Sequence, residues 1–578
     1  MQNVTKRWTI KPAPSLKNAE LLASELGVTP LIAGLLVQRG VQTFDDAKHF
    51  FRPSLNDLHD PFLMKDMDKA VGRLIKAIRE KEKIMVFGDY DVDGTTAVAL
   101  VYSFLKIRHP DTVFYIPDRY AEGYGISILG IDHANATGIS LIIALDCGIK
   151  ANEKVDYANS LGIDLIICDH HRPGEKLPEA FAVLDPKRDD CSYPYKELSG
   201  CGIGFKLVQA FAKRSNIPFE ELEQFLDLVV VSIGSDIVPI TGENRVLAHF
   251  GLRMINASPR TGFKALLELA SVKKQLTINE LVFIIGPRIN AAGRIESGSK
   301  AVELLIAGDM DIAREVSNII NKNNQDRREL DVNITQEALA MIAGNAKMLS
   351  RKSTVLFHAE WHKGVVGIVA SRLIERYYRP TIVLTQSGES LSGSARSVKG
   401  FDVYEAIDKC SDLLEQFGGH MYAAGLSLKA ENFEAFSDRF EEVVSASITD
   451  EMLVPEIDVD AGISLDEIDH KLLNILGQFQ PFGPGNMAPV FLSKNLTDTG
   501  YARVVGKDHL KLEVVQTSPK FHSFQAIGFG LGGKLKDVEK EQPFDIAYTI
   551  EENEWQGRKS IQLNVKDIKR GGGPENRE

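Results

Sequence analysis

Ile84-Met85-Val86-Phe87-Gly88-Asp89-Tyr90-Asp91-Val92-Asp93-Gly94 is the stretch that decides the fold. Its first four residues are uniformly apolar, as in a strand covered on both faces. Three carboxylates then follow within five residues. Each repels the others, and a desolvated carboxylate needs a partner. Divalent metal ions are a natural compensation, because hard cations take oxygen ligands.

Working outward, the same pattern recurs. Apolar runs at 84–87, 141–145, 165–168 and 181–184 alternate with helical patterns between about 70 and 240. Near-continuous Ile, Val and Leu predicts a parallel sheet in an α/β domain. The second run ends on Asp146 and the third on Asp169-His170-His171. A further apolar stretch, 226–236, ends on Asp236 and reads as a helix. An α/β sheet binds its ligands just past the carboxyl ends of its strands. Singly, such an Asp caps a helix, a His pair lies in a solvated loop, and a triple Asp forms a surface turn. Four such elements at one sheet edge point instead to a metal site. Carboxylates with one or two imidazoles and no thiolate cluster favour Mn2+ or Mg2+ over structural Zn2+. Six or seven ligands exceed one ion's need. Two ions roughly 4 Å apart suit in-line displacement at phosphorus.

The chain has 578 residues, enough for three or four domains. Its composition is that of a soluble globular protein, and its net charge of −12 argues against a basic coat for non-specific nucleic-acid binding. Cys147, Cys168, Cys191, Cys201 and Cys410 show no CxxC pairing. They point to a reducing compartment, with Cys147 and Cys168 as small core residues. No stretch approaches the ~18 apolar residues of a membrane-spanning helix, and no apolar signal core opens the chain. Cytoplasmic location without membrane attachment is the expectation.

Residues 1–60 read as a helical lead-in. Residues 310–342 contain neither Pro nor Gly and read as one long charged helix, a connector. A second α/β unit follows at about 350–450, with strands at 353–357 and 381–384 around a helix at 367–374. After about 455, short runs at 489–492, 502–505, 510–515, 524–527 and 561–565 predict an all-β barrel or sandwich. The glycine-rich end, 569–578, reads as a disordered tail. Residues 528–533 fit GxGxxG, and 528–534 mimic a Walker loop. They lie in the β-rich region with no βαβ unit, and Leu535 stands where Ser or Thr should hold magnesium, so neither reads as a nucleotide site.

The Gly-Asp-Tyr-Asp-Val-Asp-Gly, Leu-Asp-Cys-Gly, Asp-His-His and Ser-Asp-Ile-Val-Pro motifs, in this order, resemble the DHH phosphoesterase superfamily. Further motifs sharpen the resemblance to the RecJ family of single-strand-specific 5′→3′ DNA exonucleases. They are Pro117-Asp-Arg-Tyr-Ala-Glu-Gly-Tyr-Gly125, Gly286-Pro-Arg-Ile-Asn-Ala-Ala-Gly-Arg294, Trp361-His-Lys-Gly-Val-Val-Gly-Ile368, Gly393-Ser-Ala-Arg-Ser397 and Gly418-Gly-His420.

The resemblance implies a multidomain α/β chain. A parallel-sheet DHH catalytic domain (61–309), the connecting helix (310–342), an α/β DHHA1 substrate-binding domain (343–452) and an all-β OB fold (453–568) would follow one another. The nuclease cleft would lie between the DHH and DHHA1 domains. One ion would be held by Asp89, Asp91 and Asp146, and the other by Asp93, Asp146, His170 and Asp236. Relatives in the superfamily carry a histidine ligand where this chain has Phe87, and Asp89 is the substitute. Asp93, Asp146, Asp169 and His171 would form the catalytic set, with His171 donating to the scissile phosphate. Ser394, Arg396 and Ser397 would bind phosphate, aided by Gly418, Gly419 and His420, while Arg119 would anchor a 5′ phosphate. Arg288, Asn290 and Arg294 would line the path of the strand. In the barrel, Arg503, Lys507, Lys511 and Phe524 stand equally as DNA contacts or as ordinary surface and core.

The expected activity is release of 5′ mononucleotides from single-stranded DNA, in recombination and repair, with single-strand-binding protein and a helicase as partners and a monomeric chain. A hydrolase of short oligoribonucleotides or cyclic dinucleotides and a non-catalytic DNA-binding scaffold are the alternatives. The C-terminal β region argues against the first, and the intact acidic set against the second.

Overall fold

The computed structural model describes residues 5–12, 16–516, 521–538 and 542–571. The chain forms two compact units. One comprises Asp45–Arg327 with Phe479–Met487, and the other Met1–Phe44, Arg328–Gln478 and Ala488–Glu578.

The first unit is built on a five-stranded parallel sheet. Its order across the sheet is Thr112–Tyr115, Lys83–Gly88, Ile139–Leu145, Asp164–Cys168, Ala182–Leu184. Both faces are covered, which is why the strands are apolar throughout rather than alternating. Ile84, Val86, Leu141, Ile143 and Leu145 pack into a core shared with the helices Val92–Lys106, Gly200–Arg214 and Leu226–Ser235. Met85, Phe87, Ile142 and Ala144 face the helices Ile128–Ala136 and Asn152–Ser160. The 84–87, 141–145, 165–168 and 181–184 runs are strands as expected, and 226–235 is the expected helix. The edge strand Thr112–Tyr115 was not expected, because Thr-Val-Phe-Tyr follows Pro110-Asp111 as a short, half-exposed run. With it the sheet becomes doubly wound: the strand order reverses between Lys83–Gly88 and Ile139–Leu145.

The helix Met310–Ala343 runs unbroken for 34 residues, about 50 Å at 1.5 Å per residue. The division between the two units falls inside it.

In the second unit, a mixed sheet runs Gln416–His420, Ala423–Lys429, Ser390–Arg396, Thr381–Ser387, Thr354–Phe357. Only the last pair is parallel. The helix Val366–Tyr377 packs on it. The C-terminal region is a barrel. Strands Phe491–Asp498, Phe544–Trp555, Arg558–Arg570, His522–Gly528 and His509–Gln516 pair in that order, and Thr497 and Asp498 close it against Val515 and Val514. Phe544–Trp555 escaped the sequence reading, since its second half is acidic rather than apolar.

Two expectations are corrected. The lead-in is not wholly helical: Arg7–Ile10 is a strand lying parallel to Glu456–Val459. Residues 569–571 are ordered: Lys569 and Arg570 pair with Asp545 and Phe544, and the Gly571 N–H donates to the Pro543 carbonyl. The rest of the proposed tail, 572–578, lies outside the described residues. All five cysteines are buried and unbridged. Among the described residues, no single helix is long and apolar enough to cross a membrane.

Candidate metal centre

The strand order places the acidic motifs. In a doubly wound sheet the crevice opens where the order reverses, beyond the carboxyl ends of the two strands concerned. Those strands end at Gly88 and Leu145, so Asp89, Asp91, Asp93 and Asp146 converge there. Asp91 caps the Val92–Lys106 helix, accepting the Gly94 N–H at 3.0 Å. Asp93 accepts the N–H groups of Gly200 and Cys201, at 2.7 and 2.8 Å, and the Ser232 hydroxyl at 2.6 Å. Those N–H groups open the Gly200–Arg214 helix, whose positive end favours an anion. Asp236 has no such support: it follows the C-terminus of Leu226–Ser235, the negative end.

Asp146 holds a left-handed backbone, φ 59°. A non-glycine residue adopts it at about 1–2 kcal/mol. Its N–H donates to the Cys168 carbonyl at 2.9 Å, which turns the carboxylate inward. Gly200 makes room: a Cβ there would stand 2.6 Å from the Asp146 Cβ.

Two carboxylate clusters result, Asp89–Asp91–Asp146 and Asp93–His170–Asp236, each with ligand atoms within 4.8 Å of one another, and a third group by the same measure, Asp146–His170–His171, links them. The first contains the three residues that the resemblance implied for one ion; the second holds three of the four implied for the other, and the fourth, Asp146, approaches it through His170. Its Nε2 lies 3.2 Å from Asp146, 3.5 Å from Asp236 and 3.7 Å from Asp93. Phe87 is buried in the apolar layer, stacked on Tyr115, and takes no part.

The electrostatics favour cations. Burial pushes the carboxyls of Asp89, Asp146 and Asp236 well above their ordinary range, and neighbouring carboxylates add to it: Asp91 beside Asp89, and Asp93 beside the other two. Asp91 is raised in the same way, by burial and then by Asp93. Burial lowers His170 to about 4, leaving a neutral imidazole suited to ligation. Asp89 Oδ1, Asp146 Oδ1 and both ring nitrogens of His170 are buried without a well-aligned hydrogen bond. Unpaired buried polar atoms are rare in folded proteins. Divalent ions held by these oxygens and one imidazole nitrogen would satisfy three of the four atoms and offset the repulsion.

Asp169 differs. It accepts N–H groups from Ile149, His170 and His171 and the His171 Nδ1–H at 2.7 Å. Burial alone would raise this carboxyl, but the His171 bond and charge and the backbone donors hold it down to about 2. It therefore orients His171 instead of ligating. His171 responds in kind: burial lowers it, Asp169 outweighs burial, and it rises to about 9. Its Nε2 lies 3.4 Å from the Tyr124 hydroxyl, which also reaches the Asp146 carbonyl at 3.3 Å.

The remaining expected residues divide. Arg119 stacks on the Tyr90 ring at 4.7 Å, beside the acidic loop. Arg294 sits on Gly286–Ile295, a helix so close to Tyr90 that a Cβ on Gly293 would meet the Tyr90 carbonyl at 2.6 Å. Arg288 donates to Asn321 and to the Ile284 carbonyl, and Asn290 is half-buried on the same helix. On the mixed sheet, register puts Ser394, Gly425 and Gly418 in one row and Arg396, Ala423 and His420 in the next, all on one face. Arg396 Nη1 donates to Ser394 Oγ at 3.1 Å, and Gly367, at the start of Val366–Tyr377, approaches both. Gly418 and Gly419 lie in a strand, not a turn, and the φ of Gly419 is +150°. The Ser397 hydroxyl donates to the Phe401 carbonyl, so its one proton is used. In the barrel, Phe524 pairs with buried Val514 and belongs to the inner face. Arg503 is exposed and stacks on Tyr501 at 4.2 Å; Lys511 pairs with it, and Lys507 is exposed. Sequence reasoning missed Tyr90, Tyr124, Ser232 and Gly200; the Ser199-Gly200-Cys201-Gly202 helix start was the available signal for the last.

A doubly wound sheet with two carboxylate clusters bridged through His170 at its switch point, and a second unit carrying a polar sheet face, defines a metal-dependent phosphoesterase of the DHH type. Profiles of the DHH family N-terminal domain, the DHHA1 domain and the RecJ OB domain match residues 83–233, 336–446 and 459–567. The chain belongs to the RecJ family. The single-stranded-DNA-specific exonuclease RecJ of Bacillus subtilis (strain 168) is 36% identical over 565 residues, covering 97% of this chain and 70% of the relative. That of Escherichia coli (strain K12) is 34% identical, covering 93% and 96%. The crystal structure of RecJ in complex with Mn2+ from Thermus thermophilus matches at a TM-score of 0.84 and 27% identity, covering 98% of this chain and 80% of that one. A manganese-bound exonuclease RecJ structure matches at 0.59 and 31%, covering 69% and 98%.

Proposed function

We propose that the chain is a metal-dependent 5′→3′ exonuclease specific for single-stranded DNA, releasing 5′ mononucleotides in recombination and repair. The observation that carries this is the pair of clusters, whose buried unsatisfied oxygens and neutral His170 sit beside an oriented His171. The RecJ relatives named above are exonucleases on single-stranded DNA, and the solved structures hold Mn2+ or Mg2+.

Asp89, Asp91 and Asp146 would hold one ion, and Asp93, Asp146, His170 and Asp236 the other. When bound, Mn2+ or Mg2+ supplies an acidified water and charge neutralisation at the phosphodiester. Asp93 reaches its position already fixed by three donors, so binding needs little reorganisation. His171 donates through Nε2 to a non-bridging oxygen as its charge grows, with Asp169 holding the ring. Ser394, Arg396 and His420 bind phosphate on the mixed sheet, and Arg119 contributes to a 5′-phosphate anchor. Arg288, Asn290 and Arg294 follow the strand, and the barrel holds further nucleotides through Arg503 and Lys511. A single-strand-binding protein and a helicase are the proposed partners, with a cytoplasmic, monomeric enzyme.

The test is a Mn2+-dependent assay on single-stranded DNA, duplex DNA and RNA, each labelled at the 5′ or 3′ end, with Asp93→Ala alongside. Immediate release of a labelled 5′ mononucleotide from single-stranded DNA alone, absent in Asp93→Ala, is the expected result. Activity confined to short RNA, or binding without cleavage, would replace this reading.

A further inference from the structure

Asp236 is the ligand residue with the weakest local reason to stay in place. It sits at the negative end of its helix, and the next residue, Ile237, is a β-branched side chain held at φ 60° and 65% exposed. A β-branched residue in the left-handed region is an outlier, and such strain persists only where surrounding structure over-determines it.

The turn is held from two directions. From within, the Tyr195 hydroxyl and Asn244 Nδ2 donate to the Pro239 carbonyl, at 3.2 and 3.0 Å. From far along the chain comes Phe479–Met487, which belongs to the catalytic unit although the residues on both sides of it belong to the other. The Ile240 N–H donates to the Pro484 carbonyl at 2.7 Å. A Cβ on Gly485, whose φ is +74°, would stand 2.9 Å from Thr241 Cγ2, and one on Gly483 would collide with Ile240 Cγ1. The segment is itself anchored. Buried Arg245 donates to the carbonyls of Phe479 and Gln480, at 2.9 and 3.0 Å, and Asn486 Nδ2 closes on those of Phe479 and Pro481.

We propose that residues 479–487 are a positioning element for Asp236: by clamping residues 239–241 they fix the strained turn that presents this carboxylate to His170. The proposal rests on reading Asp236 as a metal ligand. Its consequence is that the affinity of one ion depends on a segment of distant sequence that makes no ligand contact. Outer partners of metal ligands shift affinity by about 10–100-fold.

The experiment titrates the metal-free full chain with MnCl2 by calorimetry, and measures turnover against Mn2+ concentration. The variants are Gly485→Ala, Gly483→Ala, Asp236→Asn and, as control, Gly477→Ala, whose exposed helical position has open space. Asp236→Asn should remove one of two binding events. Gly485→Ala and Gly483→Ala should weaken that same event about tenfold, leave the other within twofold, and regain parental turnover at saturating Mn2+. Adding Ile240→Ala to Gly483→Ala removes the atom that the new methyl meets and should restore affinity. Parental Mn2+ binding in both glycine variants overturns the proposal, as does equal weakening of both events with a fall in melting temperature. An unchanged titration in Asp236→Asn would instead overturn the ligand reading beneath it.

Discussion

At the acidic centre, six aspartates and two histidines crowd the end of a parallel sheet, most of them buried, with Asp89 Oδ1 and Asp146 Oδ1 lacking a hydrogen-bond donor. On the mixed sheet, Ser394 and Arg396 are half-exposed and Gly418 and His420 exposed, in two neighbouring rows on one face. The first arrangement stores unfavourable electrostatics until cations arrive. The second offers the Arg396 cation and the Ser394 hydroxyl on an exposed face, the place proposed above for an anion that brings its own charge. Burial makes each charge at the first site decisive, because a low dielectric strengthens every interaction. Exposure and salt screening make each contact at the second incremental.

Asp146→Asn tests this contrast most severely. Turnover should fall by at least on the order of 10³-fold, because the carboxylate near both clusters is gone. The metal-free protein should nevertheless melt higher, since a buried like charge has been removed, and Mn2+ should no longer raise its melting temperature. A lower melting temperature without metal would mean that the cluster is not electrostatically strained. His171→Ala comes next: kcat should drop about 100-fold with little change in DNA affinity, the mark of an interaction made in the transition state. Equal losses in both would make it a positioning residue. Arg396→Ala should weaken single-strand binding about tenfold and flatten the salt dependence by about 0.7 log units per log of salt, with kcat unchanged at saturating DNA. Full affinity would move the phosphate anchor elsewhere. Arg503→Ala, at an exposed edge of the barrel, should cost only about threefold in affinity; a loss matching that of Arg396→Ala would erase the distinction between anchor and periphery.

The sequence carries the acidic centre to an unusual degree. Every aspartate there follows an apolar element, and local chain geometry alone delivers it to that element's end. The barrel strand His509–Gln516 was legible in the same way, since Lys511, Glu513 and their apolar neighbours alternate, whereas Phe544–Trp555 was not. Phe524 was not, because which face of a strand is inward depends on its partner, and Val514 settled it. The lead-in strand Arg7–Ile10 was equally hidden, since its partner lies some 450 residues away.

The chemistry is written in the residue order: carboxylates and imidazoles at element ends, in numbers that only metal ions reconcile. Where they meet is a matter of packing. The edge strand Thr112–Tyr115 creates the reversal in strand order that opens the crevice between Gly88 and Leu145. The left-handed Asp146 and the Gly200 contact then set the direction of one carboxylate, and the proposed clamp from 479–487 that of Asp236. Ligand identity is a property of single residues and survives in a linear text. Crevice, strain and clamp are pairings between distant segments, fixed by packing.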